Sequence, residues 1–184
     1  MKTRIILSIL LVTVFFTGCK NDKSVDSLDV VKPEVVDNSF KVVLKVIVKK
    51  DDDFALFYTE DGTINFFDVK PLWQGVKGSE TEQDVTFTLP DGVYPTQFRF
   101  DLGLKKDQED IVIKGVKMTY KGKTFDASGA RFFQFFRADE NLCTADVATG
   151  TIKAILKEGS KVKTSSIYPQ QDILGPELIK LARQ

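Results

Sequence analysis

The chain has 184 residues, with 26 Lys plus Arg against 26 Asp plus Glu and no His. The balanced charge argues against a nucleic-acid binder, and the lack of imidazole excludes Ser-His-Asp and Cys-His catalysis, His-ligated zinc and a histidine pH switch. Two Cys are too few for a structural zinc site or a disulfide framework.

Lys2 and Arg4 precede an apolar run from Ile5 to Phe16, broken only by Ser8 and Thr13. The run is shorter than the roughly 20 apolar residues of a membrane span and has the build of a signal-peptide core. It ends in Phe16-Thr17-Gly18-Cys19. This end resembles the lipobox of bacterial lipoproteins, with Phe16 where Leu is usual. The resemblance implies cleavage after residue 18 and acylation of Cys19, whose acyl chains would hold the protein on a membrane. An ordinary secretory signal with an incidental Cys is the other reading. Residues 1–18 are thus expected to be a signal peptide and 19–38 a lipidated, flexible tether. The charged stretch behind Cys19 resembles the surface-export signals of Bacteroidetes-type lipoproteins. The expected location is the bacterial cell envelope, in the outer membrane, with the leaflet face open. With Cys19 acylated, Cys143 is the one remaining thiol and no intramolecular disulfide can form.

From residue 39 the hydrophobic period is two. Phe40, Val42, Leu44, Val46 and Val48 alternate with Lys41, Val43, Lys45, Ile47 and Lys49, which predicts a strand wet on its lysine side. Lys50 to Asp53 reads as a polar turn. A hairpin is predicted over 54–69, its strands Phe54–Thr59 and Thr63–Val69 joined at Asp61-Gly62. Residues 70–83 read as a loop holding Trp73, the only Trp. Alternation then predicts strands over 84–89, over 97–102 and over 111–120, the last broken at Lys114-Gly115. Residues 105–110 read as a solvated loop and Lys121-Gly122-Lys123 as a turn. The run 131–136 fits a short helix or an irregular turn. Two further strands are expected over 151–157 and 162–167, then a short helix over 175–181 with Pro176 at its first position.

Eight or nine short strands with little helix predict a mostly β fold, a two-sheet antiparallel β-sandwich or a barrel, as one domain over 39–184. Three phrases bear on which. They are Asp53-Phe54-Ala55-Leu56-Phe57-Tyr58, Thr96-Gln97-Phe98-Arg99-Phe100-Asp101-Leu102-Gly103 and Ile111-Val112-Ile113-Lys114-Gly115-Val116. Together they resemble jelly-roll β-sandwich domains akin to carbohydrate-binding modules, over roughly residues 39–136. The resemblance implies a jelly-roll-like sandwich and says much less about function.

Acidic residues are plentiful but mostly sit in turns, where Asp is favoured for backbone reasons. Asp101 and Arg99 share a strand face and are expected to form an ion pair. No catalytic residue, cofactor or metal site is therefore assigned, and the acidic turns at 51–53 and 107–110 read as solvated. For a sugar ligand the candidates are Trp73 as an exposed platform, Tyr58 at a strand end and Asp61 beside it. Phe66 and Phe67 are adjacent and cannot share a strand face, so one is exposed or both faces are covered. Cys143 reads as a small buried apolar residue. The expected function is a lipid-anchored, non-catalytic envelope binding module for glycan. The alternative is an assembly lipoprotein that binds another envelope protein, and a carboxylate-dependent glycan hydrolase comes third. The membrane is the expected partner through Cys19, and nucleic acid is not.

Overall fold

The computed structural model describes residues 37–183. The expected signal peptide, Cys19 and the expected tether up to residue 36 lie outside the described residues. The described residues fold as eleven strands in two antiparallel sheets, closed at one end by a C-terminal helix. The strands are β1 (Lys41–Val48), β2 (Asp52–Thr59), β3 (Leu72–Val76), β4 (Ser79–Thr88), β5 (Gln97–Leu102) and β6 (Ile111–Tyr120). They continue as β7 (Lys123–Ser128), β8 (Phe136–Ala138), β9 (Cys143–Asp146), β10 (Thr151–Ala154) and β11 (Ser165–Pro169). A single helical turn, α1 (Phe132–Phe135), precedes β8, and α2 (Gln171–Ala182) ends the fold.

One sheet runs β4-β1-β6-β10-β9, with β7 also on β6, and the other runs β3-β2-β5-β11-β8. Most connections cross between the sheets, which is the jelly-roll-like winding of a two-sheet β-sandwich. The core lies between the two inner faces. Phe40, just before β1, and Val42, Leu44, Val46 and Val48 of β1 are fully buried, opposite Phe54, Leu56, Phe98 and Phe100 of the second sheet. Phe87 of the first sheet meets Phe100 of the second at 6.1 Å between ring centroids. Phe100 also touches Phe98 at 5.4 Å and Phe136 at 5.6 Å.

The predicted break in β6 is a bulge. Lys45 pairs with Gly115 but Val46 pairs with Ile113, so Lys114 is the extra residue. The bulge shifts the inward set from Ile111 and Ile113 to Val116 and Met118. A Cβ on Gly115 would stand 2.8 Å from the Ala127 carbonyl oxygen, so only glycine fits beside β7. Lys121 and Gly122 both have positive φ and close the tight β6–β7 hairpin, in which Tyr120 pairs with Lys123.

Other expectations are corrected. The 54–69 hairpin does not form, because residues 60–71 are irregular. β2 pairs instead with β3, from Asp52 opposite Val76 to Leu56 opposite Leu72. Trp73 therefore lies on an edge strand rather than in a loop. The strands β7, β8 and β9 are additional to those expected: β8 and β9 have 3 and 4 residues, and β7 buries only Phe125 and Ala127 among polar neighbours. The acidic turn is not solvated throughout. Asp52 is buried, and its carboxylate accepts from the backbone N–H of Asp53 (2.8 Å) and Leu104 (2.8 Å) and from Gln108 Nε2 (2.9 Å). It anchors the 103–110 loop, in which Gln108 is buried as well.

The C-terminal helix begins four residues before the predicted start, so Pro176 is inside it. Proline cannot donate to the Asp172 carbonyl, which costs the helix one internal bond. Burial of Leu174, Leu178 and Leu181, one apolar stripe, holds the helix on the sandwich end in spite of that loss.

Beneath α2, Tyr94 packs edge-on against Phe40 (5.3 Å) and Tyr120 (5.1 Å), and its hydroxyl donates to the Leu178 carbonyl. Burial, with Tyr120 as the second cause, pushes the Tyr94 phenol up from 10.0 to about 12. The folded chain thus holds this proton more tightly than the unfolded chain. The resulting stabilisation is complete below pH 10 and is lost as pH rises toward about 12. Urea unfolding across that window is expected to show a shallower loss of stability in Tyr94→Phe than in the wild type. Equal slopes would show that Tyr94 does not carry the alkaline transition.

Candidate functional site

Strand alternation sends every second residue of the second sheet away from the core. On β5 these are Gln97, Arg99 and Asp101. On β2 their neighbours are Thr59, Phe57 and Ala55, by the register Thr59–Gln97, Phe57–Arg99 and Ala55–Asp101. On β11, Ser166 stands opposite Asp101, and Tyr168 follows beside Arg99. Trp73 of β3 pairs with Ala55 and so flanks Asp101 two strands away, a span of about 10 Å. Arg137 of β8 pairs with Tyr168 at the far edge.

Arg99 is at the centre of this face. Its guanidinium lies 4.2 Å from the Phe57 ring centroid, 5.1 Å from Tyr168 and 5.4 Å from Phe66. It donates to Asp101 Oδ2 at 2.8 Å and to the Tyr168 hydroxyl at 2.9 Å. The ion pair expected from the shared strand face is present, with side-chain exposures of 14% and 16%. The aromatic enclosure lowers the cost of desolvating the guanidinium, since ring faces attract cations. Arg137 also lies over the Tyr168 ring, 5.5 Å from its centroid.

The 60–71 segment lies across this face. Its first turn is fixed where Asp61 accepts from the Thr63 N–H (3.0 Å) and hydroxyl (2.9 Å). Those two bonds hold the Asp61 carboxyl below the usual carboxylate range. Gly62 N–H donates to Thr96 Oγ1 (2.8 Å), and Gln171 Nε2 donates to the Gly62 carbonyl (2.9 Å). Further along, Phe66 is buried and meets Tyr168 at 6.0 Å, whereas Phe67 is 89% exposed. The adjacent pair divides as expected, in an irregular segment rather than a strand.

The three sequence candidates do not converge. Trp73 is 55% exposed on the outer face. Tyr58 points inward and packs on the core, where burial raises its phenol pKa. Asp61 spends one carboxylate oxygen within its own turn. The residues that do gather around the outer face are Trp73, Asp101, Arg99, Phe57, Phe66 and Tyr168. The alternation Gln97, Arg99, Asp101 was legible as a polar strand face, but no local signal announces Phe66 or Tyr168 as its cover.

Cys143 is fully buried, as expected. Burial raises its thiol pKa, and Sγ lies 3.6 Å from the Ser166 carbonyl oxygen. Among the described residues no three His, Cys, Asp or Glu are grouped so as to hold a metal, and no helix is long and apolar enough to cross a membrane. No family model, curated protein or solved structure matches this chain.

Proposed function

We propose that the protein is a lipid-anchored, non-catalytic binding module of the bacterial envelope, and that it takes glycan on the outer face of the second sheet. The observation that carries this reading is Trp73. It is exposed on an edge strand and flanks a half-buried carboxylate, Asp101, on the same face. An aromatic face suits the apolar C–H surface of a sugar ring, and a carboxylate accepts from its hydroxyls. Tyr58 and Asp61 are not part of that site. Anchoring is proposed through Cys19 on the strength of the lipobox resemblance, and Cys19→Ala is expected to abolish incorporation of labelled fatty acid. Persistent labelling in that variant would overturn the anchor.

The binding test uses the unit 36–184, which contains the whole core of the described residues. A ligand that binds only the folded state raises the melting temperature by mass action. With a binding oligosaccharide, Trp73→Ala is expected to weaken affinity about tenfold or more, the scale of one lost aromatic stack. Its own melting temperature should stay close to wild type, because the side chain is exposed. An unchanged ligand response in Trp73→Ala would remove Trp73 from the site.

A second reading rests on Phe67. An apolar side chain held 89% exposed beside a buried neighbour suits a protein partner. If no glycan raises the melting temperature, crosslinking from position 67 in the envelope tests that reading.

A further inference from the structure

Among the described residues, three buried side-chain polar atoms have no hydrogen-bond partner: Gln97 Oε1, Arg99 Nε and Asp101 Oδ1. All three belong to the outer face of β5, at alternate residues. Buried polar atoms are nearly always paired, because one left without a partner has lost its hydration and gained nothing in return. Three in a row on one face are therefore a feature to be explained. The rest of the polar equipment there is in use. Gln97 Nε2 donates to the Gln171 carbonyl (3.2 Å), and both terminal nitrogens of Arg99 are engaged. Thr96 Oγ1 donates to the Thr59 carbonyl (3.0 Å).

What covers the row is local. Phe66 caps Arg99 at its centre. At the Gln97 end, Gly62 and α2 close in, and a Cβ on Gly175 would stand 2.9 Å from Gln97 Nε2. A cleft of about 370 Å³ opens there, lined among others by Gly62, Tyr94, Gln97, Gly175 and Ile179. At the Asp101 end stands Trp73. The 60–71 segment thus covers the middle of the row, and a cleft reaches the row at its Gln97 end. Gln97 and Asp101 are four residues apart, about 14 Å along a strand.

We infer that Gln97, Arg99 and Asp101 form one continuous binding track, covered by the 60–71 segment with Phe66 as its plug, and that its ligand is an oligosaccharide rather than a single sugar. The inference rests on the glycan reading above and extends it. The order of free atoms is acceptor, donor, acceptor. A hydroxyl group both donates and accepts, so a polyhydroxyl chain meets all three without leaving a charge unmatched. Binding displaces Phe66 from its place on Arg99 and Tyr168. The closed state therefore taxes affinity by the fraction of molecules that are open.

The test titrates the 36–184 unit with di-, tri- and tetrasaccharides from a linear glycan panel. The wild type is expected to prefer the tetrasaccharide over the disaccharide about tenfold. Phe66→Ala removes the plug and should tighten tetrasaccharide binding about tenfold further, with little change for the disaccharide. Gln97→Leu should abolish the length preference. In the wild type, backbone amides of 60–71 should exchange faster with the tetrasaccharide bound, a readout that does not depend on any variant folding. Equal affinity for all lengths, with no effect of Phe66→Ala and unchanged exchange in 60–71, overturns the track and leaves the Trp73 site standing. No binding of any saccharide by wild type or Phe66→Ala overturns both.

Discussion

Phe100→Ala should lower the stability of the fold by about 4 kcal/mol, near the middle of the range for a buried Phe truncated in a core. Phe100 has no exposed surface and is where the two sheets meet, through Phe87 on one side and Phe98 and Phe136 on the other. Removal of the ring loses the transfer free energy of its carbons and leaves a cavity between rings that are themselves fully enclosed. Neither sheet can close that gap, since β5 is hydrogen-bonded on both sides, to β2 and β11. For a domain of this size the loss corresponds to a fall in melting temperature of roughly 12 °C. Chemical denaturation of wild type and variant measures it. A loss under about 1.5 kcal/mol would mean that the core repacks and that the junction of the sheets is not close-packed there.

Asp52→Ala tests a different kind of interaction and should cost about 3 kcal/mol. The Asp52 carboxylate gathers the N–H groups of Asp53 and Leu104 and the amide of Gln108, and Lys105 N–H lies 3.3 Å from Oδ1. With alanine these donors lose their acceptor, the amide of the buried Gln108 among them, and the 103–110 loop loses its anchor. Asn at the same position keeps one acceptor oxygen and should fall between wild type and alanine. Hydrogen exchange adds a local readout: amides 104 and 105 should lose protection before the β-sheets do. A loss confined to a few tenths of a kcal/mol would show that water replaces the carboxylate at this site. Gly103 belongs to the same arrangement, since its φ is positive and a Cβ there would sit 2.9 Å from Asp52 Oδ2.

The two substitutions separate what kind of information each part of the fold needs. The alternation Phe40 to Val48 assigns an inner and an outer face from composition along one strand, and the burial follows it residue by residue. The same holds for Val85, Phe87 and Leu89 and for Phe98, Phe100 and Leu102. Lys121-Gly122 marks its hairpin because both positions need positive φ, and Lys114-Gly115 marks the bulge by a break in the period. The Arg99–Asp101 pair is legible because both residues stand on one face of one strand. The C-terminal helix is legible over 175–181, but Pro176 masks its true start and with it the place of Leu174 on the buried face.

Partners distant in sequence follow from none of these local patterns. Asp-Gly at 61–62 carries a strong hairpin signal, yet the strand that pairs with β2 lies ten residues beyond it. The stretch after Gly62 instead delivers Phe66 to Arg99. Asp52 looks like any acid in a turn until Leu104, 52 residues away, brings its N–H. Arg99 reads as one half of a surface ion pair until Tyr168, 69 residues on, closes its cage. Local sequence decides how each segment alternates, bends and turns, because those preferences reside in backbone sterics and hydrophobic period. Only the tertiary structure decides which polar atoms are covered, because burial of a carboxylate or guanidinium depends on the segments that fold over it.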